Sequence, residues 1–511
     1  MAALAAVALA TPLVLASAGT ATAGRGHGNP SNDARKLARE LVEESSAKDA
    51  YRHLQKFQAI ADANDGHRAA GSPGHDASAK YVYEYLKKAG YKVGYDEFEF
   101  VYTEMLAERL AVVTPTPRAI DIQGMTYTKS TPVGGIKAAL AAVPVDATTG
   151  CEATDYAAGA FTGKIALIKR GGCSFAQKQA TAADAGASGA IVYNNTEGVL
   201  SGTIGDPAAG RIPTGGITQA EGEALAAEVA KGEVTVDFEI REFQETRKTK
   251  NVIAETPGGN PDNTVMLGAH LDSVTAGPGI NDNGSGSAGL LEVAKELAEE
   301  TRHGKQPRNK IKFALWSAEE NGLIGSEKWV EKLTEEQIKD IRLYLNFDMI
   351  ASPNYGQFVY DGDNSDNEGE GPGPEGSAQL ERDINQFLDR QGKPHEGTDF
   401  TGRSDYGPFI GVGIPSGGTF TGAEGIKTAE QAAKYGGEAG VAYDPCYHAA
   451  CDDIDNIDMS AFSTNIDIIA NAVGTYAHDL SSLTRPVTPE STEGDAGSGG
   501  GLHEDHDRVS E

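Results

Sequence analysis

The chain has 511 residues, of which 44 are Lys or Arg and 74 are Asp or Glu, so its formal net charge is −30. With 39% hydrophobic residues, the composition is typical of a globular protein with roughly two or three folding units. The negative charge disfavours binding to nucleic acid or to anionic membranes, because both need clustered basic side chains. We therefore expect a soluble protein that acts on small neutral or cationic partners.

The N-terminal segment has the pattern of a secretory signal. Residues 2–18 are nearly all Ala, Leu and Val, and Ala21-Thr22-Ala23 offers a small-x-small cleavage site. The apolar run is shorter than the about 20 residues that a membrane-spanning helix needs. Because the first basic residue is Arg25, the basic region of such a signal would lie upstream of the given sequence. We predict a signal peptide over residues 1–23 and an extracellular protein; the alternative is a buried apolar helix.

The four cysteines form two pairs that are close in sequence, Cys151 with Cys173 and Cys446 with Cys451. Such pairs are expected to form disulfides in an oxidising compartment, which agrees with export. Neither pair has the Cys-x-x-Cys spacing of a zinc motif. We therefore predict two disulfides and no cysteine-bound zinc.

Hydrophobic spacing predicts amphipathic helices over residues 33–62 and 75–89, followed by a strand over 91–101. From about 135 to 240 the sequence changes to short strand candidates, 164–168 and 189–193, separated by Gly- and Ala-rich turns. This change predicts a separate inserted domain. The domain boundaries that we predict are 24–134 and 241–485 for the two parts of the main domain and 135–240 for the insert.

After residue 250 the chain alternates apolar strands with helices, as in a mostly parallel sheet covered by helices. These elements are strand 265–269, helix 287–300, strand 311–316, helix 325–333 and strand 343–347. We therefore predict an α/β fold with a mostly parallel central sheet flanked by helices, and a smaller β-rich α+β insert. The acidic Gly/Pro-rich stretch 361–375 is predicted to be an unpacked loop, and residues 486–511 a disordered acidic tail.

Side chains that commonly bind metals stand mostly where the predicted strands end. They are His270, Asp272, Asp282, Glu319, Glu320, Asp348 and, further along the chain, His448. Any one of them alone is more often a cap or a hydrogen-bonding residue than a ligand. Together, two imidazoles and three carboxylates suit two divalent metal ions that share one carboxylate. The joint pattern predicts a metal site at the carboxyl edge of the sheet.

Several short motifs resemble, in their order, those of the secreted di-zinc aminopeptidases of the bacterial leucine aminopeptidase, aminopeptidase S and aminopeptidase Y types. The motifs are Ala269-His270-Leu271-Asp272, Asn281-Asp282-Asn283-Gly284, Ala318-Glu319-Glu320-Asn321-Gly322, Asn346-Phe347-Asp348-Met349, Gly402-Arg403-Ser404-Asp405-Tyr406 and Cys446-Tyr447-His448. The likeness covers most of residues 45–480. Residues 135–240 resemble the protease-associated domain, which many of these enzymes carry as an insertion, with 169–175 as its most recognisable turn.

The resemblance implies a metal role for five residues. His270 and Asp348 would bind one zinc ion, Glu320 and His448 would bind the other, and Asp282 would bridge the two. Two zinc ions per chain are therefore the cofactors that we expect, and a calcium requirement is left open.

The resemblance also implies roles beside the metals. Glu319 would be the general base, and Asp272 would hold the second ring nitrogen of His270. Tyr447 would stabilise the oxyanion, although packing of its ring under the loop closed by the second cysteine pair is the alternative. Three residues would line the pocket for the first side chain: Met349, Arg403 and Phe420. For Met349 and Phe420 taken alone, packing in the core is the simpler interpretation.

The function that this resemblance implies is a secreted, monomeric metallo-aminopeptidase. Its partners would be peptides and proteins with a free N-terminus, with a preference for large apolar first residues such as Leu, and neither nucleic acid nor a membrane. Two alternatives are another enzyme on the same fold, such as a glutaminyl cyclase or a carboxypeptidase-like hydrolase, and an inactive receptor-type binding protein. Single-zinc cyclases and receptor-type relatives lack ligands or the base, whereas every such residue is present here.

Overall fold

The structure, a computed structural model, describes residues 29–367, 369 and 371–487. The predicted signal peptide and residues 488–511 of the predicted tail lie outside the described residues. Of the helices that the structure describes, none combines the length and the apolar character needed to cross a bilayer.

The described residues form helices and strands that alternate along most of the chain. The α-helices are α1 (Pro30–Glu44), α2 (Ala47–Asp62), α3 (Pro73–Ala89), α4 (Phe175–Asp184), α5 (Gln219–Val229), α6 (Gly286–Arg302), α7 (Ile324–Val330), α8 (Glu335–Asp340), α9 (Ser377–Arg390), α10 (Gly407–Gly411), α11 (Ala429–Tyr435) and α12 (Met459–Tyr476). The strands are β1 (Lys92–Thr114), β2 (Arg118–Ile120), β3 (Gln123–Gly124), β4 (Ile136–Ala142), β5 (Ile165–Lys169), β6 (Gly189–Tyr193), β7 (Thr214–Ile217), β8 (Thr235–Glu255), β9 (Asn260–His270), β10 (Asn309–Trp316), β11 (Ile341–Phe347), β12 (Phe358–Tyr360), β13 (Glu396–Thr398) and β14 (Ser416–Phe420).

The first predicted helix, 33–62, is two helices, because the chain breaks at Ser45 and Ser46. Ser45 is extended and ends α1, and the Ser46 side chain accepts a hydrogen bond from the Asp49 amide to cap α2. Serine is unfavourable inside a helix but favourable at its N-terminus, since its hydroxyl competes for backbone amides. The hydrophobic period continues across the break, so periodicity alone did not predict it.

The main sheet has the order β13-β12-β14-β11-β9-β10-β8. Its central neighbours β14, β11, β9 and β10 are parallel, whereas β8 is antiparallel to β10. Helices α1, α2, α3, α6 and α12 contribute to the core on one face, where Leu54, Phe57 and Leu291 are fully buried. A smaller aromatic cluster contains Trp316, Tyr344 and Phe409. This arrangement confirms the predicted α/β fold with a sheet flanked by helices.

A long two-stranded ribbon joins the main sheet to the insert. β1 continues past the predicted end at residue 101 and pairs antiparallel with β8 from Lys92–Glu255 to Thr114–Thr235. The C-terminal end of β8 pairs with β10, and its N-terminal end pairs with β4. One continuous strand therefore belongs to both sheets.

The insert has its own sheet, in the order β3-β7-β6-β5-β4-β8, and apolar clusters that include Ile165, Ile191 and Phe238. Its neighbours β4, β5, β6 and β7 are parallel. Leu110 and Met125 precede the predicted boundary at 135 and yet pack in these clusters. We propose that the insert begins within β1, near the irregularity in strand register that follows Met105.

The structure joins Cys151 to Cys173 and Cys446 to Cys451 in disulfides. The stretch 361–375 was expected to be unpacked, but its first residue is buried and hydrogen-bonded. Asp361 is only 3% exposed, and its carboxylate accepts the main-chain amides of Asp363, Ser365 and Asp366. Acidic composition therefore did not exclude burial here, because the turn needs an acceptor for these amides.

Candidate active site

The carboxyl ends of three parallel strands bring the predicted ligands together. β9 ends at His270, which is the register partner of Trp316 at the end of β10, just before the loop that carries Glu319 and Glu320. β11 ends at Phe347, immediately before Asp348. Since neighbouring parallel strands end at one edge, residues far apart in sequence converge there.

Asp282 reaches the same edge from a tight turn, Ile280–Ser285, that leads into α6. Gly286 begins α6, and a Cβ at this position would lie 2.1 Å from the carbonyl oxygen of Phe347. Only glycine therefore permits this approach. The Asn283 side chain closes the contact, because it donates to that carbonyl over 3.0 Å and accepts the Gly286 amide over 2.9 Å.

Two groups of nitrogen and oxygen atoms share Asp282. His270 Nε2 lies 3.1 Å from Asp282 Oδ1 and 3.2 Å from Asp348 Oδ1. His448 Nε2 lies 3.3 Å from Asp282 Oδ2 and 3.0 Å from Glu320 Oε2. Each oxygen of Asp282 therefore faces a different imidazole, and the structure brings all five predicted ligands together.

The donor set fits divalent zinc, which binds imidazole nitrogen and carboxylate oxygen. Glu320 Oε1 is buried and has no hydrogen-bond partner, and the buried Asp348 Oδ1 accepts no well-aligned hydrogen bond, although His270 Nε2 lies 3.2 Å away. A buried carboxylate oxygen without a donor is costly, and a bound cation removes that cost. The unmet oxygens point to a cation rather than to a network of hydrogen bonds.

The crowding of these groups shifts their pKa values. Burial alone would lower the pKa of His448, but the carboxylates of Glu320 and Asp282 raise it to about 11. Burial, reinforced by Asp282, raises the pKa of Glu320 to about 7. Burial also raises the pKa of Glu319 well above its usual range, against the opposing effect of His270. The edge of the sheet is thus a dense negative site that suits cations.

Glu319 lies beside the metal-type groups without sharing their contacts. Its Oε2 is 4.0 Å from His270 Nε2, and its main-chain amide donates to Asp272 Oδ1 over 3.4 Å. The second ring nitrogen of His270 contacts the main-chain carbonyl of Asp272 at 3.1 Å, whereas the nearest carboxylate oxygen of Asp272 is 3.8 Å away. The contact expected of Asp272 is therefore made by its backbone.

Tyr447 stands over the second group of ligands. Its ring stacks on that of His448, with centroids 3.8 Å apart and an angle of 24° between the planes. Arg403 donates from Nη2 to the phenol oxygen over 3.2 Å and from Nη1 to Glu424 Oε1 over 2.8 Å. Arg403, expected in the wall of the substrate pocket, thus contacts the expected oxyanion donor.

The two apolar residues of the expected pocket lie at the same sheet edge. Met349 directly follows Asp348 and is 3% exposed, and Phe420 is the half-buried last residue of β14. Met349 and His448 have positive φ angles of 49° and 56°. Such backbone conformations are unfavourable for residues other than glycine and concentrate at functional sites.

Sequence reasoning missed three residues that support this edge. Asp452 is 2% exposed, and its carboxylate accepts the main-chain amides of Asn281 at 2.8 Å and Asp282 at 3.0 Å. Ser404 donates to Asp348 Oδ2 over 2.5 Å. Arg68 is fully buried and donates to main-chain carbonyls of the segment between His270 and Asp282. Their contacts join segments far apart in the chain. The sequence marks only the position of Ser404 in the motif Gly402-Arg403-Ser404-Asp405-Tyr406 and that of Asp452 directly after Cys451.

Comparisons with known proteins agree with this geometry. Residues 251–473 match the family described as Peptidase family M28, and residues 136–225 match the PA domain. The chain is 45% identical to "Leucine aminopeptidase 2" of Arthroderma otae over 469 residues, which cover 91% of this chain and 92% of that protein. The chain belongs to peptidase family M28.

Two further relatives extend the likeness of this M28 chain to bacteria. An "Aminopeptidase" of Pseudomonas aeruginosa is 46% identical over 439 residues, covering 83% of this chain and 80% of that one. The solved aminopeptidase from Aneurinibacillus sp. strain AM-1 has a TM-score of 0.66 at 29% identity, over 86% of this chain and 95% of that one. This M28 chain is a zinc-dependent aminopeptidase that acts on peptides and carries an inserted PA domain. The predicted enzyme class is confirmed over the cyclase, carboxypeptidase and receptor alternatives.

Proposed function

We propose that this aminopeptidase is secreted, uses two zinc ions, and hydrolyses the N-terminal bond of peptides and proteins with a preference for large apolar first residues such as Leu. The shared carboxylate of Asp282 supports the proposal most strongly, because each of its oxygens faces a different histidine. His270 and Asp348 would hold one ion, and Glu320 and His448 would hold the other. Bound zinc would polarise the scissile carbonyl and lower the pKa of a water molecule toward neutrality.

Glu319 is the general base in this proposal. It is 4.0 Å from His270 Nε2 and shares neither of the two ligand groups, so its carboxylate is free to take a proton from the attacking water and pass it to the leaving amine. Tyr447 donates its phenol hydrogen to the oxyanion of the tetrahedral intermediate. Asp272 orients His270 through its main-chain carbonyl.

The free α-ammonium group of the substrate would sit against Glu319 and Asp348. Both carboxylates lie at the negative edge of the sheet, where a cationic N-terminus is favoured and a blocked one is not. Met349 and Phe420 would provide apolar surface for the first side chain. Removal of one residue at a time follows from this recognition of the free amine.

Secretion is supported by the two disulfides, which form and persist in oxidising compartments. The expected signal pattern at residues 1–23 points the same way. We further propose a monomer and a non-catalytic insert, because the ligand-type residues and Glu319 all come from the main sheet and its loops. Calcium has no part in the proposal.

The test compares leucine 4-nitroanilide with its N-acetylated form and measures bound zinc in the same preparation. We expect hydrolysis of the free amine only, two zinc ions per chain, and loss of turnover on chelation. Each buried methylene is worth about 0.8 kcal/mol, so Leu should exceed Ala by roughly tenfold or more in kcat/KM. Full activity with one zinc ion, hydrolysis of the blocked substrate, or equal rates on Glu and Leu would each contradict its part of the proposal.

A further inference from the structure

The contacts of the Arg403 side chain are not those expected of a residue that lines the pocket for the first side chain. Its guanidinium spans two loops, with Nη1 on Glu424 at 2.8 Å and Nη2 on the phenol oxygen of Tyr447 at 3.2 Å. An arginine that donates to a phenol oxygen leaves the phenol hydrogen as the only donor for a third group. The Tyr447 hydroxyl is thereby aimed away from Arg403.

The loop that carries Arg403 is anchored on both of the residues that follow it. Ser404 donates to Asp348 Oδ2 over 2.5 Å and accepts from the Asn346 side chain over 2.8 Å. Asp405 is fully buried and accepts from the Ser326 hydroxyl over 2.5 Å. The backbone of Arg403 is thus fixed relative to the ligand Asp348.

The two partners of the guanidinium are fixed as well. The segment around Glu424 pairs through main-chain hydrogen bonds with the segment before Tyr447: the Tyr443 amide donates to Gly425 over 2.9 Å, and the Asp444 amide to Ala423 over 2.8 Å. The ring of Tyr447 is stacked on its neighbouring histidine. The ring of Tyr447 is therefore held by stacking, and the contact with Arg403 fixes the direction of its hydroxyl group.

We propose that Arg403, oriented by Glu424, is a positioning residue that fixes the Tyr447 hydroxyl for donation to the oxyanion. The planar guanidinium suits this task because its two donors form a rigid fork, which a lysine ammonium cannot reproduce. Donation to the phenol oxygen also polarises the phenol toward the oxyanion. The inference rests on the proposed role of Tyr447, and it assigns Arg403 to catalysis through that residue rather than to binding of the first side chain.

The experiment is a double-mutant cycle with Arg403→Met, Tyr447→Phe and the double variant, assayed on leucine 4-nitroanilide and on the dipeptide Leu-Gly. Tyr447→Phe should lower kcat by about 10²–10³-fold, the usual effect of one oxyanion donor. Arg403→Met should lower kcat by roughly 10-fold to 100-fold with little change in KM. The double variant should be no slower than Tyr447→Phe, because Arg403 then has no hydroxyl to position.

Further variants guard against a failure to fold. Arg403→Lys keeps the charge but should rescue only part of kcat, and Glu424→Gln should give a smaller loss than Arg403→Met. Arg342→Met removes an exposed arginine that contacts Asn263 and should behave like the parent enzyme. Zinc content and the melting temperature are measured for every variant, and a kcat loss at parental zinc content supports the proposal.

Four outcomes overturn it. Multiplying effects in the double variant would mean that Arg403 acts independently of Tyr447. A rise in KM confined to Leu-Gly would mean that Arg403 binds the substrate carboxylate. Normal turnover in Tyr447→Phe would remove the oxyanion role itself, whereas a slow Tyr447→Phe beside a normal Arg403→Met would remove only the role of Arg403.

Discussion

The proposed catalytic edge of the main sheet and the core of the insert both bury polar side chains, but the hydrogen bonds of these side chains differ. In the insert, Lys178 is fully buried and donates to a main-chain carbonyl, and both amide atoms of Gln179 bond to the main chain. Within the described residues 106–241, Thr131 Oγ1 is the one buried side-chain nitrogen or oxygen without a hydrogen-bond partner. At the proposed catalytic edge, Glu320 buries an oxygen without a hydrogen-bond donor, and the buried Asp348 Oδ1 has no well-aligned one.

Whether a buried polar side chain has all its hydrogen-bond partners indicates whether its role is structural or functional. A buried side chain with a complete set of partners stabilises its surroundings, since any loss leaves an unmet group behind. A buried carboxylate without a donor destabilises the ligand-free fold and is retained for what it binds. Substitutions in the two regions should therefore fail in opposite ways, with activity lost in one and stability in the other.

The largest effect is expected at Glu319 and its neighbour. Glu319→Gln keeps size and hydrogen bonding but cannot accept a proton, so kcat should fall by roughly 10²–10⁴-fold. Bound zinc should stay at the parental value, as measured by elemental analysis. Glu320→Gln is the matched control and should lose zinc and activity together. Loss of zinc in Glu319→Gln instead would exchange the two roles.

In the insert, Lys178→Met should lower stability and leave catalysis intact. The substitution removes the donor to a buried carbonyl, which costs about 1–3 kcal/mol. Denaturant unfolding of the insert should shift accordingly, while kcat on leucine 4-nitroanilide stays unchanged. Lys231→Met, at an exposed position, provides the control. A loss of kcat at parental zinc content would refute the separation of the two regions.

Glu292 tests whether an unmet carboxylate outside the site is costly. It is 1% exposed, and its Oε1 has no hydrogen-bond partner, although Lys295 Nζ lies 3.6 Å away. Burial raises the pKa of Glu292 to about 7 despite this lysine. Because the folded pKa exceeds the unfolded value, stability is lost as pH rises from about 4.5 to 7. Glu292→Gln should therefore match the parent at pH 4 and exceed it by roughly 1–3 kcal/mol at pH 8, in urea titrations at both values. Equal stability at pH 8 would show that Lys295 compensates the charge.

Removal of the insert should have only a small effect on turnover. Met105 and Glu242 are register partners in the ribbon, so residues 106–241 can be replaced by an Asn-Gly turn that closes a hairpin. We expect kcat on leucine 4-nitroanilide within about threefold of the parent, since neither the ligands nor Glu319 is removed. Deletion of only 135–240 would leave β3 without its partner β7 and the end of β1 without its partner in β8. A folded, zinc-loaded hairpin variant without activity would show that the insert shapes the active site.

The strands, the candidate metal ligands and the disulfides of this protein could be predicted from local sequence patterns. The strands ending near His270, Trp316 and Phe347 were predictable because buried parallel strands are continuous apolar runs. The candidate ligands followed, since the ends of parallel strands meet. The two cysteine pairs were likewise predictable, because their members are close in the chain.

Tertiary structure alone decided which atoms meet. Asp452 and Asn281 are 171 residues apart, and Arg403 and Tyr447 are 44 apart. No local pattern encodes such contacts, because they depend on how separate loops close over one sheet edge. The same holds for Asp272, whose carbonyl rather than its carboxylate contacts the histidine. Periodicity and composition specify which face of an element is buried; the final partners of each polar atom are set only when distant segments pack, since each buried donor or acceptor must then be met from whatever lies nearby.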